Sequence, residues 1–239
     1  MLNGMFLSVL ALGFVLGLKH ALDPDHMVAV STIVSESKSV KRSSLVGTFW
    51  GLGHTMSLLL AGVLVIALKV QISDRLASWM EFAVALMLIL LGLKAMLKSL
   101  RGWKVHVHRH THDGTTHSHL HMHRGDEDHQ HAHRHLIRSG ARPFAVGLVH
   151  GMAGSAALMI LVLATIPSAI AGLIYVAVFG IGSVGGMLIM SSLISLPFVF
   201  TRKRFKVLSE GLQVAVGLFS VSFGLFLAWQ YGFHEHLIF

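Results

Sequence analysis

Apolar residues along this chain fall into blocks parted by short polar stretches, at 3–31, 45–68, 76–96, 143–166, 169–200 and 207–231. A helix needs about 20 predominantly apolar residues to cross the hydrocarbon core of a bilayer, and every block meets that length. The second block has no Asp, Glu, Lys or Arg in 24 positions. The stretch 143–201 has none in 59, too long for one span and about right for two, and Pro167-Ser168 is its natural division. The pattern predicts an all-α integral membrane fold of six transmembrane helices, the first of them broken at Asp23-Pro24. The first block lacks a basic leading region and runs straight into polar residues, so it reads as a retained span and not as a cleaved signal.

Between the third and fourth blocks the apolar pattern stops. Residues 106–135 hold 12 histidines in three runs of period two: His106, His108, His110 and His112, then His117, His119, His121 and His123, then His129, His131, His133 and His135. With so few apolar side chains, this segment is expected to be a disordered loop. Three units follow: a first three-helix repeat at 1–98, the histidine-rich loop at 99–142 and a second three-helix repeat at 143–239. The repeat is visible in the residues. Phe14, Gly17, Leu18 and His20 recur at Phe144, Gly147, Leu148 and His150, an offset of 130. Phe49 and Phe179 keep that offset, and a Gly-x-Gly follows each, at Gly51 and Gly53 and at Gly180 and Gly182. Three spans is an odd number, so the second copy enters the membrane from the opposite face, an inverted 3+3 arrangement common in secondary transporters.

Charge orients this frame. Sixteen of the 19 Lys and Arg residues lie in or beside the first, third and fifth connections. The positive-inside rule then sets those connections in the cytosol, with both termini outside and the histidine-rich loop cytoplasmic, in a multi-pass protein of the cytoplasmic (inner) membrane. The net charge of +8 accompanies 54% hydrophobic residues and a mean hydropathy of +0.69, and the basic residues sit between spans, so the partner is the lipid bilayer and not nucleic acid. There is no cysteine, which excludes thiolate metal sites and disulfides. No Gly-x4-Gly-Lys-Ser/Thr occurs to bind ATP and no His-Glu-x-x-His to build a metalloprotease, so no enzymatic site is expected.

The candidate chemistry is concentrated at His20-Ala21-Leu22-Asp23-Pro24-Asp25-His26. Ionisable groups within a span cost about 2.5–3.5 kcal/mol each on insertion scales, which makes such a cluster a functional site by default. Pro24 cannot donate to the His20 carbonyl, so an unwound turn is expected there, gathering His20, Asp23, Asp25, His26 and a freed His20 carbonyl. Nitrogen and oxygen donors without sulfur suit divalent nickel or cobalt. His54, in Gly51-Leu52-Gly53-His54-Thr55, and His150, the repeat mate of His20, complete the expected ligand set. Thr55 and Ser155 are weaker oxygen candidates. The loop histidines read as accessory metal ligands. Glu81 and Glu210 read as helix caps, His234-Glu235-His236 is too short to be a site, and the 12 methionines read as packing.

His20-x4-Asp25-His26 resembles the His-x4-Asp-His signature of the NiCoT nickel/cobalt permeases, and Gly-Leu-Gly-His54-Thr is similar to the Gly-His motif of their next span. The six-span length, the segment around His150 and the histidine-rich loop look more like the NicO and UreH-like nickel permeases. The resemblance implies a carrier of Ni(II) or Co(II) as transported ions, with no permanently bound cofactor and with urease or hydrogenase maturation proteins as candidate partners. Two other classes fit the residues: a membrane exporter of another substrate, such as sulfite or an amino acid, and a non-transporting metal-delivery partner for nickel-enzyme maturation.

Overall fold

The computed structural model describes residues 2–67, 73–101, 104–112, 115–123, 136–153, 166 and 168–234. Helix α1 (Leu2–His20) ends at the polar cluster, and α2 (Pro24–Val34) restarts immediately after it. The two halves meet at 54°, as expected from Asp23-Pro24. Proline opens α2 because its missing N–H is no loss in a first turn and its fixed φ already suits the helix. The interruption is tight. Leu22 N–H donates to the Lys19 carbonyl at 2.8 Å and Asp23 N–H to the His20 carbonyl at 3.1 Å. The expected free His20 carbonyl is therefore taken up within the turn, which offers the orphaned acceptor a donor three residues on.

Helix α3 (Val40–Gly62) starts at Ser39, whose hydroxyl accepts from Arg42 N–H, and closes in a π turn, Val63–Ala67. Helix α4 (Asp74–Arg101) follows, then strands β1 (Lys104–His112) and β2 (Thr115–His123), helix α5 (Leu136–Met152), helix α6 (Ala169–Arg204) and helix α7 (Lys206–Trp229) with a final π turn, Gln230–His234. Helix α6 starts where the sequence predicts, after Ser168, whose hydroxyl caps it by accepting from Ala171 N–H. Helix α5 begins seven residues before the expected boundary and carries Pro143 within it. Asp74 and Lys206 open α4 and α7, so Glu81 and Glu210 lie inside those helices and not at their ends as caps.

Among the described residues four helices are long and apolar enough to cross a membrane, and five spans result if α1 and α2 count as one bent span. The expected fourth span continues into 154–165, outside the described residues together with Ser155. Helices α3 and α6 have 44% of their apolar stretch buried against 22% for α4 and α7, so the first pair forms the centre and the second an outer layer. Helix α1 packs on α6, α5 on α3 and α4 on α7. These approaches are close because glycine permits them: a Cβ on Gly17 would run into the Phe179 carbonyl and one on Gly147 into the Trp50 carbonyl. The outward faces carry exposed Leu, Ile and Phe, as a lipid-facing surface does.

Within the segment expected to be a loop, residues 104–112 and 115–123 form an antiparallel hairpin. Alternation at period two, β-branched Val105, Val107, Thr111, Thr115 and Thr116, and the dipeptide Asp113-Gly114 between the strands all favour one. The third histidine run, His129 to His135, lies outside the described residues, as do residues 235–239, including Glu235 and His236.

Candidate metal centre

The break between α1 and α2 carries three of the site residues on two helix ends. His20 is the last residue of α1, and Asp25 and His26 fill the first turn of α2. His54 comes from the middle of α3 and His150 from the last turn of α5. The approach of α5 to α3 at this level is set by Gly151, where a Cβ would lie 2.9 Å from the His54 Cα. His26, His54 and His150 are all but fully buried, at 2%, 1% and 1% exposure.

The polar atoms form two short chains. In one, Asp23 Oδ2 lies 2.7 Å from His20 Nδ1, and His20 Nε2 lies 3.1 Å from His54 Nε2. In the other, Asp25 takes both remaining imidazoles, Oδ1 at 3.1 Å from His26 Nδ1 and Oδ2 at 2.8 Å from His150 Nε2. The imidazole rings join the chains: His26 is 4.6 Å from His20, 5.0 Å from His54 and 4.2 Å from His150, centre to centre. Asp23 occupies the N-cap position of α2 but makes no cap hydrogen bond. With its carboxylate on His20 Nδ1, it directs the lone pair of that ring to Nε2, the role a carboxylate plays behind a metal-bound histidine.

Three buried nitrogens, His26 Nε2, His54 Nδ1 and His150 Nδ1, have no hydrogen-bond partner among the described residues. Leaving a buried polar atom unpaired costs about 1–3 kcal/mol, so a protein keeps several together only where something else uses them. The lone pair of a neutral imidazole is a good ligand for Ni, Co or Zn. Two groups of donors are close enough to hold an ion, His20 with His26 and His54, and Asp25 with His26 and His150, each with its ligand atoms within 4.8 Å of one another. Asp23 stands outside both groups.

A sequence model of the NicO family, described as high-affinity nickel-transport protein, matches residues 6–222. The chain belongs to the NicO family. It is 40% identical to the urease accessory protein UreH of Bacillus sp. (strain TB-90) over 97% of this chain and 95% of that protein. It is 30% identical to the high-affinity nickel transport protein of Cupriavidus necator over 32% of this chain and 22% of that one. The chloroplast protein FOR GROWTH AND FERTILITY 2 of Arabidopsis thaliana is 26% identical over 89% of this chain, which spans about half (54%) of that relative's length. No solved structure matches the chain. Membership of this transporter family, together with the apolar helices, makes the chain a multi-pass membrane protein.

Two aromatic residues of this NicO chain wall the cluster, and the sequence flags neither as a site residue. Trp50, fully buried, lies 5.4 Å from the His26 ring and 5.5 Å edge-on from His150. Phe179 lies 5.4 Å from His20. The signal that could have flagged them is their place beside the motifs: Trp50 lies one turn before His54, and Phe179, the repeat mate of Phe49, directly precedes Gly180-x-Gly182. Thr55 turns out to serve packing: its hydroxyl donates to the Gly180 carbonyl at 3.1 Å, tying α3 to α6 beside His54.

Proposed function

We propose that this chain is a secondary transporter carrying Ni(II), and Co(II) as a related ion, across the cytoplasmic membrane, with His20, Asp25, His26, His54 and His150 as ligands on the ion path and Asp23 holding His20 in register. One observation carries this reading: four imidazoles and a carboxylate, drawn from four helices, converge where three buried nitrogens lack partners among the described residues. Membership of a family described by nickel transport supports the choice of ion. Ligand histidines must be neutral to bind, so ion loading displaces any protons they hold, and a proton gradient is the natural coupling.

The packing supports an inverted 3+3 repeat. Under the offset of 130, α1 corresponds to α5 and α3 to α6, and the contacts of α1 with α6 mirror those of α5 with α3. Glycines meet backbone carbonyls in both helix pairs, Gly17 that of Phe179 and Gly147 that of Trp50. With the basic connections inside, the termini face outward and the histidine hairpin faces the cytosol. The hairpin register sets His106 opposite His121, His108 opposite His119 and His110 opposite His117, an arrangement suited to collecting ions at the cytoplasmic mouth.

The accessory function named for the Bacillus relative favours a second reading, delivery of nickel to a urease maturation system without transport. Proteoliposomes holding this chain alone separate the two. Nickel flux with an imposed proton gradient, abolished by His20→Ala and by His26→Ala, is the expected result. No flux from well-folded wild-type protein would leave delivery as the function, and unchanged flux in both variants would remove the cluster from the ion path.

A further inference from the structure

Nothing in the proposed transport function requires more than one ion position, yet the geometry points to two. We infer that the ion occupies two overlapping positions in turn, His20–His26–His54 and Asp25–His26–His150, with His26 as the ligand that passes it from one to the other. This rests on the nickel-transport reading and adds to it the order in which ligands exchange.

The five side chains do not form one ligand set. Each group of three has its donor atoms within 4.8 Å, while His54 and His150, which belong to different groups, are 6.2 Å apart between ring centres. An ion with metal–nitrogen bonds of about 2.1 Å brings neighbouring donors to about 3.0 Å in octahedral and about 3.4 Å in tetrahedral geometry. His20 Nε2 and His54 Nε2, at 3.1 Å, are already near such a spacing, and Asp25 Oδ2 and His150 Nε2, at 2.8 Å, approach it closely. Each group thus holds one pre-spaced pair, and both need the same third ligand. His26 belongs to both groups, with its Nδ1 3.1 Å from Asp25 Oδ1 and its Nε2 unpartnered among the described residues. A ligand common to both groups admits one ion at a time.

The two positions differ in charge. Each position has one ligand open to solvent, His20 at 23% and Asp25 at 30% exposure, and the first presents three imidazoles to the ion. On the other side His150 is 1% exposed, and Asp25 brings a full negative charge into direct ligation. An ion entering at His20 can exchange His20 and His54 for Asp25 and His150 without releasing His26. It is never stripped of all protein ligands in the buried region, where a bare divalent charge is most costly. Carriers need a site strong enough to fill and labile enough to empty, and sequential exchange about one fixed ligand meets both demands.

The test uses the full-length protein in detergent with Co(II) as probe, because ligand-field absorption reports the ligand set. Histidines of the hairpin contribute equally to every variant, so difference spectra against His26→Ala isolate the buried site. Wild type should show one Co(II) equivalent in that difference. His20→Ala and His150→Ala should each keep one equivalent with different spectra, and each should lose about tenfold or more of nickel flux in proteoliposomes. Asp25→Asn, which preserves shape, should reproduce the spectrum of His150→Ala and serves if the latter does not fold. Two equivalents in wild type would overturn the shared ligand. Complete loss of the difference signal in both His20→Ala and the Asp25 or His150 variant would mean one composite site, and wild-type spectrum and flux for His150→Ala would reduce that residue to packing. If wild type binds cobalt as described yet moves no nickel, the transport reading fails while the two positions stand.

Discussion

Replacing His54 by leucine should make the empty protein more stable and the nickel-loaded protein less so. The imidazole is 1% exposed, its Nδ1 has no partner among the described residues, and its Nε2 meets only His20 Nε2 at 3.1 Å. Leucine fills a similar volume and removes the unpaired nitrogen, a gain of about 1–3 kcal/mol. His20 loses a partner but is 23% exposed and can turn to water, so most of that gain survives. For a chain of this size about 2–4 °C of melting temperature accompanies each kcal/mol, which predicts a rise of about 2–12 °C in chelator. Wild type with nickel at 100 times its Kd gains about 2.7 kcal/mol from binding, and the variant forfeits that share. The assay is thermal denaturation in detergent followed by tryptophan fluorescence, with and without nickel, against His26→Leu as a common blank for hairpin binding. An apo His54→Leu protein destabilised by more than about 1 kcal/mol, or one keeping the full nickel shift, would refute the view that this histidine is held for the ion at the expense of the fold.

Other outcomes follow from packing and from the hairpin. Gly147→Ala drives a methyl into the Trp50 carbonyl and should cost about 1–3 kcal/mol or more, read as loss of monodisperse protein, whereas Gly4→Ala and Gly211→Ala, with nothing within 4 Å, should be neutral or stabilising. Deleting 106–135 should leave nickel flux intact at saturating metal and weaken it at low metal. Complete loss of flux from folded protein would give the hairpin a place on the ion path. Arg202→Ala removes donors to the Ser35 and Glu36 carbonyls at the end of α2 and should lower the melting temperature, while Lys98→Ala, breaking an ion pair whose lysine is 61% exposed, should change stability by less than about 1 kcal/mol.

Which parts of this molecule are legible in its sequence depends on how local the deciding force is. The break at Asp23-Pro24 and the start of α6 after Pro167-Ser168 follow from backbone chemistry within a few residues, and both stand where the residues put them. The gathering of His54 and His150 with the His20–His26 segment needed a longer step, through the repeat, and the glycines that permit the helix contacts are the physical content of that step. The walls of the cluster were not legible, because Trp50 and Phe179 look like any buried aromatic until the packing of α3 against α5 and of α1 against α6 brings them to the imidazoles. The hairpin answers to a different force: the strand propensity of the alternating residues and the Asp113-Gly114 turn signal favour paired strands where burial alone does not.

In the proposed repeat the two copies are unequal at the site. In the first copy His20 is followed at the fifth and sixth positions by Asp25 and His26; in the second copy His150 is followed at the same positions by Ser155 and Ala156. A symmetric pair of sites would set a second carboxylate against the first in a buried volume, where like charges repel and each must be desolvated. With one carboxylate, the second copy contributes a single imidazole, and Asp25 holds it at 2.8 Å across the interface. His20 finds its imidazole partner in α3 of its own copy, while His150 finds its carboxylate in the other copy, so only the second link spans the two halves. In the proposed transporter, movement of residues 143–239 against 1–98 would act on the Asp25–His150 contact and not on His20–His54, so the position nearer His150 is the one that such movement would alter.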